Sequence, residues 1–125
     1  MDTEQIEKLI DETLELVEVN AHSLADAKPR ASRFLIVNAL LTSFLREIEE
    51  ELPKLQTLVN ATYSQSIQYA EGKNITEKKV AAEASVEYSH ARESKEKLDA
   101  LREWVKGHIK IFDHAHLMFR QYSRE

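Results

Sequence analysis

The sequence predicts an all-α fold: a long antiparallel helical hairpin, coiled-coil-like, with a shorter N-terminal helix, associating with further copies of itself. Three observations carry that expectation. The chain of 125 residues contains 2 Gly and 2 Pro, too few turn formers for the many reversals of an antiparallel sheet. Its abundant residues are Glu, Leu, Ala, Lys and Arg, which lose little rotamer freedom in a helix. Apolar residues also recur at steps of three and four over long stretches, the spacing that lines one helix face.

The elements follow in order. Over residues 3–26, Ile6, Leu9, Ile10, Leu16, Val17 and Leu24 share a stripe with Thr13 and Asn20. Asp2 or Thr3 can cap the start, and the early Asp and Glu residues suit the positive end of the helix dipole. Lys28-Pro29 interrupts the stripe, because a residue before proline is pushed out of the α region. The second helix is therefore expected over 31–71, with Ser32 as a possible cap. It carries Phe34, Val37, Leu41, Phe44, Ile48, Leu52, Leu55, Val59, Tyr63 and Ile67, about five heptads of coiled-coil spacing. Pro53 removes a helical hydrogen bond inside that register and predicts a kink. Gly72-Lys73-Asn74 is the clearest turn. The third helix, over 76–122, presents Val80, Ala84, Tyr88, Ala91, Leu98, Leu101, Val105, His108, Phe112, Ala115 and Phe119. Such a helix is about 70 Å long at ~1.5 Å per residue, so it must lie along the second helix and along other subunits.

The whole of 1–125 reads as a single helical domain. Near the turn, small residues on both arms (Ala81, Ala82, Ala84 and Ser85 against Ala61, Ser64, Ser66 and Ala70) predict close helix pairing. At the other end Phe34, Leu41, Phe44, Trp104, Phe112 and Phe119 are the expected packing and oligomerisation residues.

Composition narrows the function. With no cysteine, disulfides, thiol catalysis and Cys-based zinc sites are excluded. The start, Met1-Asp2-Thr3-Glu4, lacks the basic-then-apolar pattern of a signal peptide. The strongest apolar cluster, Phe34-Leu35-Ile36-Val37, falls far short of the ~18 residues that span a bilayer. A cytoplasmic protein without a membrane segment is expected. Residues 1–60 hold 6 Lys+Arg against 12 Asp+Glu, net −6, and residues 61–125 hold 11 against 10, net +1. That balance argues against tight DNA wrapping by a monomer.

Catalytic signatures are missing. His108, His114 and His116, with Glu103 and Asp113 nearby, lack the i, i+4 spacing of helical metal ligands, so they read as packing or surface histidines. There is no Glu-x-x-His pair, no Gly-rich phosphate loop and no nucleophile elbow. No enzyme, no metal and no cofactor is expected. Four-residue ion pairs (Glu93/Lys97, Arg92/Glu96, Lys95/Asp99 and Lys79/Glu83) predict a solvated face on the third helix. Glu47, Glu49, Glu50 and Glu51 form an acidic knot before Pro53, fit for solubility or for a basic partner. Lys73, Lys78 and Lys79 cluster near the turn, within reach of Tyr63, Tyr69 and Tyr88. Charge plus stacking is how single-stranded nucleic acid is held.

Asn38-Ala39-Leu40-Leu41, Tyr69-Ala70-Glu71-Gly72, Ala81 to Tyr88, Trp104-Val105, Phe112 and Arg120 together give an organisation that resembles the phage recombination mediators of the UvsY type, over roughly residues 33–122. The resemblance implies an oligomer that binds single-stranded DNA and helps load a recombinase onto it, with Lys73, Lys78 and Lys79 as the first phosphate contacts. The acidic balance departs from that family's pattern. The competing expectation is an adaptor, scaffold or inhibitor that acts through its apolar helical face without nucleic acid.

Overall fold

The computed structural model describes residues 1–70, 72 and 74–124. Every regular element among them is helical: α1 (Thr3–Glu15), α2 (Ala21–Ala25), α3 (Ala27–Tyr69), α4 (Ile75–Glu83) and α5 (Val86–Tyr122). The all-α expectation holds, with α3 packed against α5. The chain packs as two compact units, Met1–Arg46 with Glu103–Glu125, and Glu47–Arg102.

The first unit is a three-helix bundle of α1, the opening of α3 and the end of α5. A capping box starts α1: the Asp2 carboxylate accepts from the Gln5 backbone N–H at 2.8 Å, and the Gln5 amide oxygen accepts from the Asp2 N–H at 2.9 Å. Two otherwise orphaned donors are satisfied there. The helix buries Ile6, Leu9, Ile10 and Thr13. The Thr13 hydroxyl donates to the Leu9 carbonyl at 2.6 Å, so its polar atom needs no water.

The helix expected over 3–26 is divided. After α1, Asn20 adopts an extended backbone and its side chain accepts from the Ser23 N–H at 2.9 Å. The Ser23 hydroxyl donates to the Glu18 carbonyl at 2.8 Å. Short polar side chains here compete with the helical ladder for backbone groups, and a new helix starts. Nor does Pro29 keep the next helix waiting until residue 31. It lies in the first turn of α3, where the N–H it lacks would have no helical partner.

Phe34, Val37, Leu41 and Phe44 of α3 meet Val105, Phe112, Ala115 and Phe119 of α5 in the core of this unit. The Phe34 ring stacks on Phe112 at 6.1 Å and tilts against Phe119 at 5.6 Å. Each fully buried side chain of this size stabilises by about 1.5–3 kcal/mol. Polar contacts fix the antiparallel alignment: the Asn38 amide donates to the Ile109 carbonyl at 3.1 Å, and His116 Nδ1 lies 2.8 Å from the Ala31 carbonyl. Arg30 donates to the Leu16 carbonyl at 2.8 Å while its guanidinium covers Phe119, tying the end of α1 to the bundle. Of the expected packing residues, Phe34, Leu41, Phe44, Phe112 and Phe119 are buried and Trp104 is half-buried.

The second unit pairs the rest of α3 with α4 and the start of α5, and its core is thinner. Ile48, Leu52, Val59, Ala82 and Ala91 are its buried apolar residues. Pro53 sits inside α3 without splitting it, and inward positions at Ile48, Leu52, Leu55 and Val59 keep their register across it. The single helix expected over 76–122 is interrupted at Ala84-Ser85. The Ser85 hydroxyl accepts from the Tyr88 N–H at 3.2 Å and pairs with the Ser66 hydroxyl at 2.9 Å, capping α5 where an unbroken helix would leave that hydroxyl on the seam. The interruption changes the inward face. Ala81 and Ala82 turn in, whereas Val80 and Ala84 are exposed.

Candidate interaction surfaces

The lysines proposed for phosphate contact are only partly placed. Lys73 lies outside the described residues. Lys78 and Lys79 follow one another on α4, about 100° apart around the helix axis; Lys78 is half-buried and Lys79 exposed. Asn74 caps α4 by accepting from the Glu77 N–H at 2.9 Å. Gly72 lies so close to that first turn that a Cβ would come 2.9 Å from the Glu77 Cβ, which explains the glycine by close approach.

The aromatic candidates behave differently from one another. Tyr63 and Tyr88 pack on each other at 5.1 Å, with Arg92 over the Tyr88 ring at 5.6 Å. Tyr69, at the end of α3, is 79 % exposed. It lines an open groove of about 430 Å³ with Thr62, Gln65, Ser66, Ala81 and Glu87. That groove has a ring to stack on and a carboxylate at its edge, but neither Lys78 nor Lys79 lines it. The structure therefore does not join the predicted lysines and the exposed tyrosine in one described cleft.

Three of the predicted ion pairs form along α5: Lys97 with Glu93 at 3.1 Å, Lys95 with Asp99 at 3.1 Å and Arg92 with Glu96 at 3.6 Å. A hydrogen bond from Lys97, and then its charge, hold the Glu93 carboxyl below its ordinary value of 4.5. His108 and His116 act in packing, whereas His114 is exposed. His108 Nδ1 lies 2.8 Å from the Trp104 carbonyl and its ring stands edge-on to the indole. Among the described residues no group of His, Cys, Asp and Glu is arranged to hold a metal ion. No helix there is long and apolar enough to cross a membrane.

A different surface emerges on α3. Leu35 and Ile36 are 54 % exposed and Leu40 is 40 % exposed. All three stand on α3, where a shallow groove of about 460 Å³ is lined by Leu35, Asn38, Ala39, Thr42, Ser43 and Arg46. A periodicity search passes over these residues because it follows the inward stripe. The signal that finds them is simpler: residues 34–45 contain no charged side chain at all. A smaller apolar groove joins Val17 to Ile111, Ala115 and Met118, edged by Lys110 and His114.

No protein-family model matches the sequence, and no curated protein or solved structure matches it.

Proposed function

We propose that this protein is a non-enzymatic helical assembly protein that associates with further copies of itself. In its more specific form it is a recombination mediator that binds single-stranded DNA and helps load a recombinase. The observation that supports assembly is the uncharged stretch 34–45 of α3, where Leu35, Ile36 and Leu40 stand half in solvent. Exposed apolar surface of this kind marks interaction sites. For the nucleic-acid part, support comes from the exposed ring of Tyr69 and the exposed Lys79 in one unit, together with the resemblance to UvsY-type mediators.

Fluorescence anisotropy with a labelled single-stranded oligonucleotide tests the mediator reading. Binding at low salt should weaken steeply as salt rises, because phosphate contacts release counterions. Tyr69→Ala should lower affinity by about tenfold, in line with ~1–3 kcal/mol for one base–aromatic stack. Absence of binding at low salt by a protein that light scattering shows to be oligomeric would overturn the mediator form. It would favour an adaptor acting through its apolar helical face, a reading also supported by the net charge of −5.

A further inference from the structure

The groove between the turn after α1 and the later part of α5 combines an apolar floor with a basic rim, all within one compact unit. We propose that it binds a free medium- or long-chain carboxylate, a fatty-acid-like amphiphile. The head group meets Lys110 and His114, and the tail lies along Ile111, Ala115 and Met118. This goes beyond assembly and nucleic-acid handling and does not depend on either.

Helical spacing builds the two halves of the site. Lys110 and His114 are four residues apart, as are Ile111 and Ala115, with Met118 three further on. Residues at those steps lie one above another on a helix, so a polar rim and an apolar strip run side by side along α5. Val17 adds a wall from outside that helix. The recess measures about 440 Å³, within the ~300–1,000 Å³ of small-ligand sites. Ile111 is 42 % exposed, so a tail laid against it removes apolar surface from water.

Charge selects the occupant. Among the described residues neither Lys110 nor His114 has an ion pair or a side-chain hydrogen bond, whereas Lys106, one turn earlier, lies 3.8 Å from the Glu103 carboxylate. An ammonium and an imidazole N–H are thus available to the two oxygens of a carboxylate. A cationic head group would instead meet Lys110 with like charge. Exposed carboxylates stand beside the groove in sequence, Glu18 after Val17 and Asp113 before His114. They oppose an anionic bilayer or polymer laid over the whole face, while a single head group engages only the rim.

Amide NMR of the full chain, titrated with decanoate below its micellar concentration, tests the proposal. Amides of residues 110–118 and of Val17 should shift together and saturate. From hexanoate to decanoate, affinity should rise by up to about fourfold per methylene, the factor that burying one CH₂ allows. Decanol should bind about tenfold more weakly than decanoate, and decyltrimethylammonium more weakly still. Lys110→Glu should weaken decanoate by about tenfold and leave decanol within about twofold, whereas Ile111→Glu should abolish binding of both. Each of these positions is exposed, and circular dichroism should show that the helices remain. Equal binding of the three head groups, shifts spread over the whole chain, or no binding by the folded protein would overturn the proposal. Sedimentation velocity identifies a second copy as the occupant: self-association lost in Ile111→Glu, with decanoate silent, would assign the groove to that copy instead. Binding to anionic phospholipid vesicles without binding to decanoate would likewise overturn it. Self-association that persists while decanoate fails to bind would sink this site alone and leave the assembly reading standing.

Discussion

Phe34 meets two other rings at once, stacked on Phe112 and tilted against Phe119, with no exposed surface of its own. Truncating it leaves a hole between two helices held apart by their remaining side chains. Phe34→Ala is therefore expected to cost about 3–5 kcal/mol, read from the midpoint of urea unfolding. At the surface, Glu93 is exposed, yet Lys97 holds its proton affinity down. A carboxyl whose folded value is lowered stabilises the helix above its ordinary 4.5 and loses that effect as pH falls through the lowered value. NMR titration should place the Glu93 midpoint below 4.5, moving back up in Lys97→Ala. The aromatic core and the four-residue ion pairs are both legible in sequence, because each depends only on residue type and helical spacing. The outward placement of Leu35, Ile36 and Leu40 is not. Deciding which side of an uncharged stretch faces water needs the positions of α1 and α5.

Among the elements, α3 is the one whose existence was plain and whose boundaries were not. Its inward register is readable from Phe34 to Val59, but its start precedes Pro29, since a proline in the first turn is harmless. Pro53 is a different case. Deep inside the helix it leaves the Glu49 carbonyl without its usual N–H donor, and Glu49, Pro53 and Gln56 line an open polar groove with Lys95, Asp99 and Arg102. Pro53→Ala should restore the helical bond and raise stability by about 1–3 kcal/mol, measured by thermal unfolding; a lower melting temperature would show that the groove's side chains depend on the proline. The breaks at residues 16–20 and 84–85 escaped the sequence for one shared reason. Neither contains glycine or proline, and each is set by hydroxyl or amide side chains that take backbone partners, at Asn20, Ser23 and Ser85. Apolar periodicity is blind to such competition. It therefore carried the phase of Val80 and Ala84 through a junction where the helix restarts.

Taken whole, the molecule divides its apolar material unevenly. The unit built from 1–46 and 103–125 buries Phe34, Phe44, Phe112 and Phe119, whereas the unit of 47–102 relies on Ile48, Leu52, Val59 and two alanines. Local opening follows such differences. Hydrogen exchange should show amides of α4 and of 86–102 exchanging faster than those of 105–119, by about tenfold or more. Equal protection along α5 would mean that the helix opens only as one cooperative piece. The candidate nucleic-acid site was the least legible feature at this scale. Lys73, Lys78 and Lys79 are near in sequence, but nearness on a helix is not a shared face, and only Lys79 stands exposed among those described. The all-helical architecture, by contrast, followed from composition and spacing alone.

Asn38 has one more implication. A seam of leucines, valines and phenylalanines grips equally well after a slide of one heptad, so apolar zips tend to settle in several alignments. The half-buried amide of Asn38 donates to a single carbonyl, that of Ile109, and a slide would take that partner away. Asn38 thus works as a pawl that makes every mis-set alignment costly. A leucine in its place should grip harder while letting the helices lose count of where they belong.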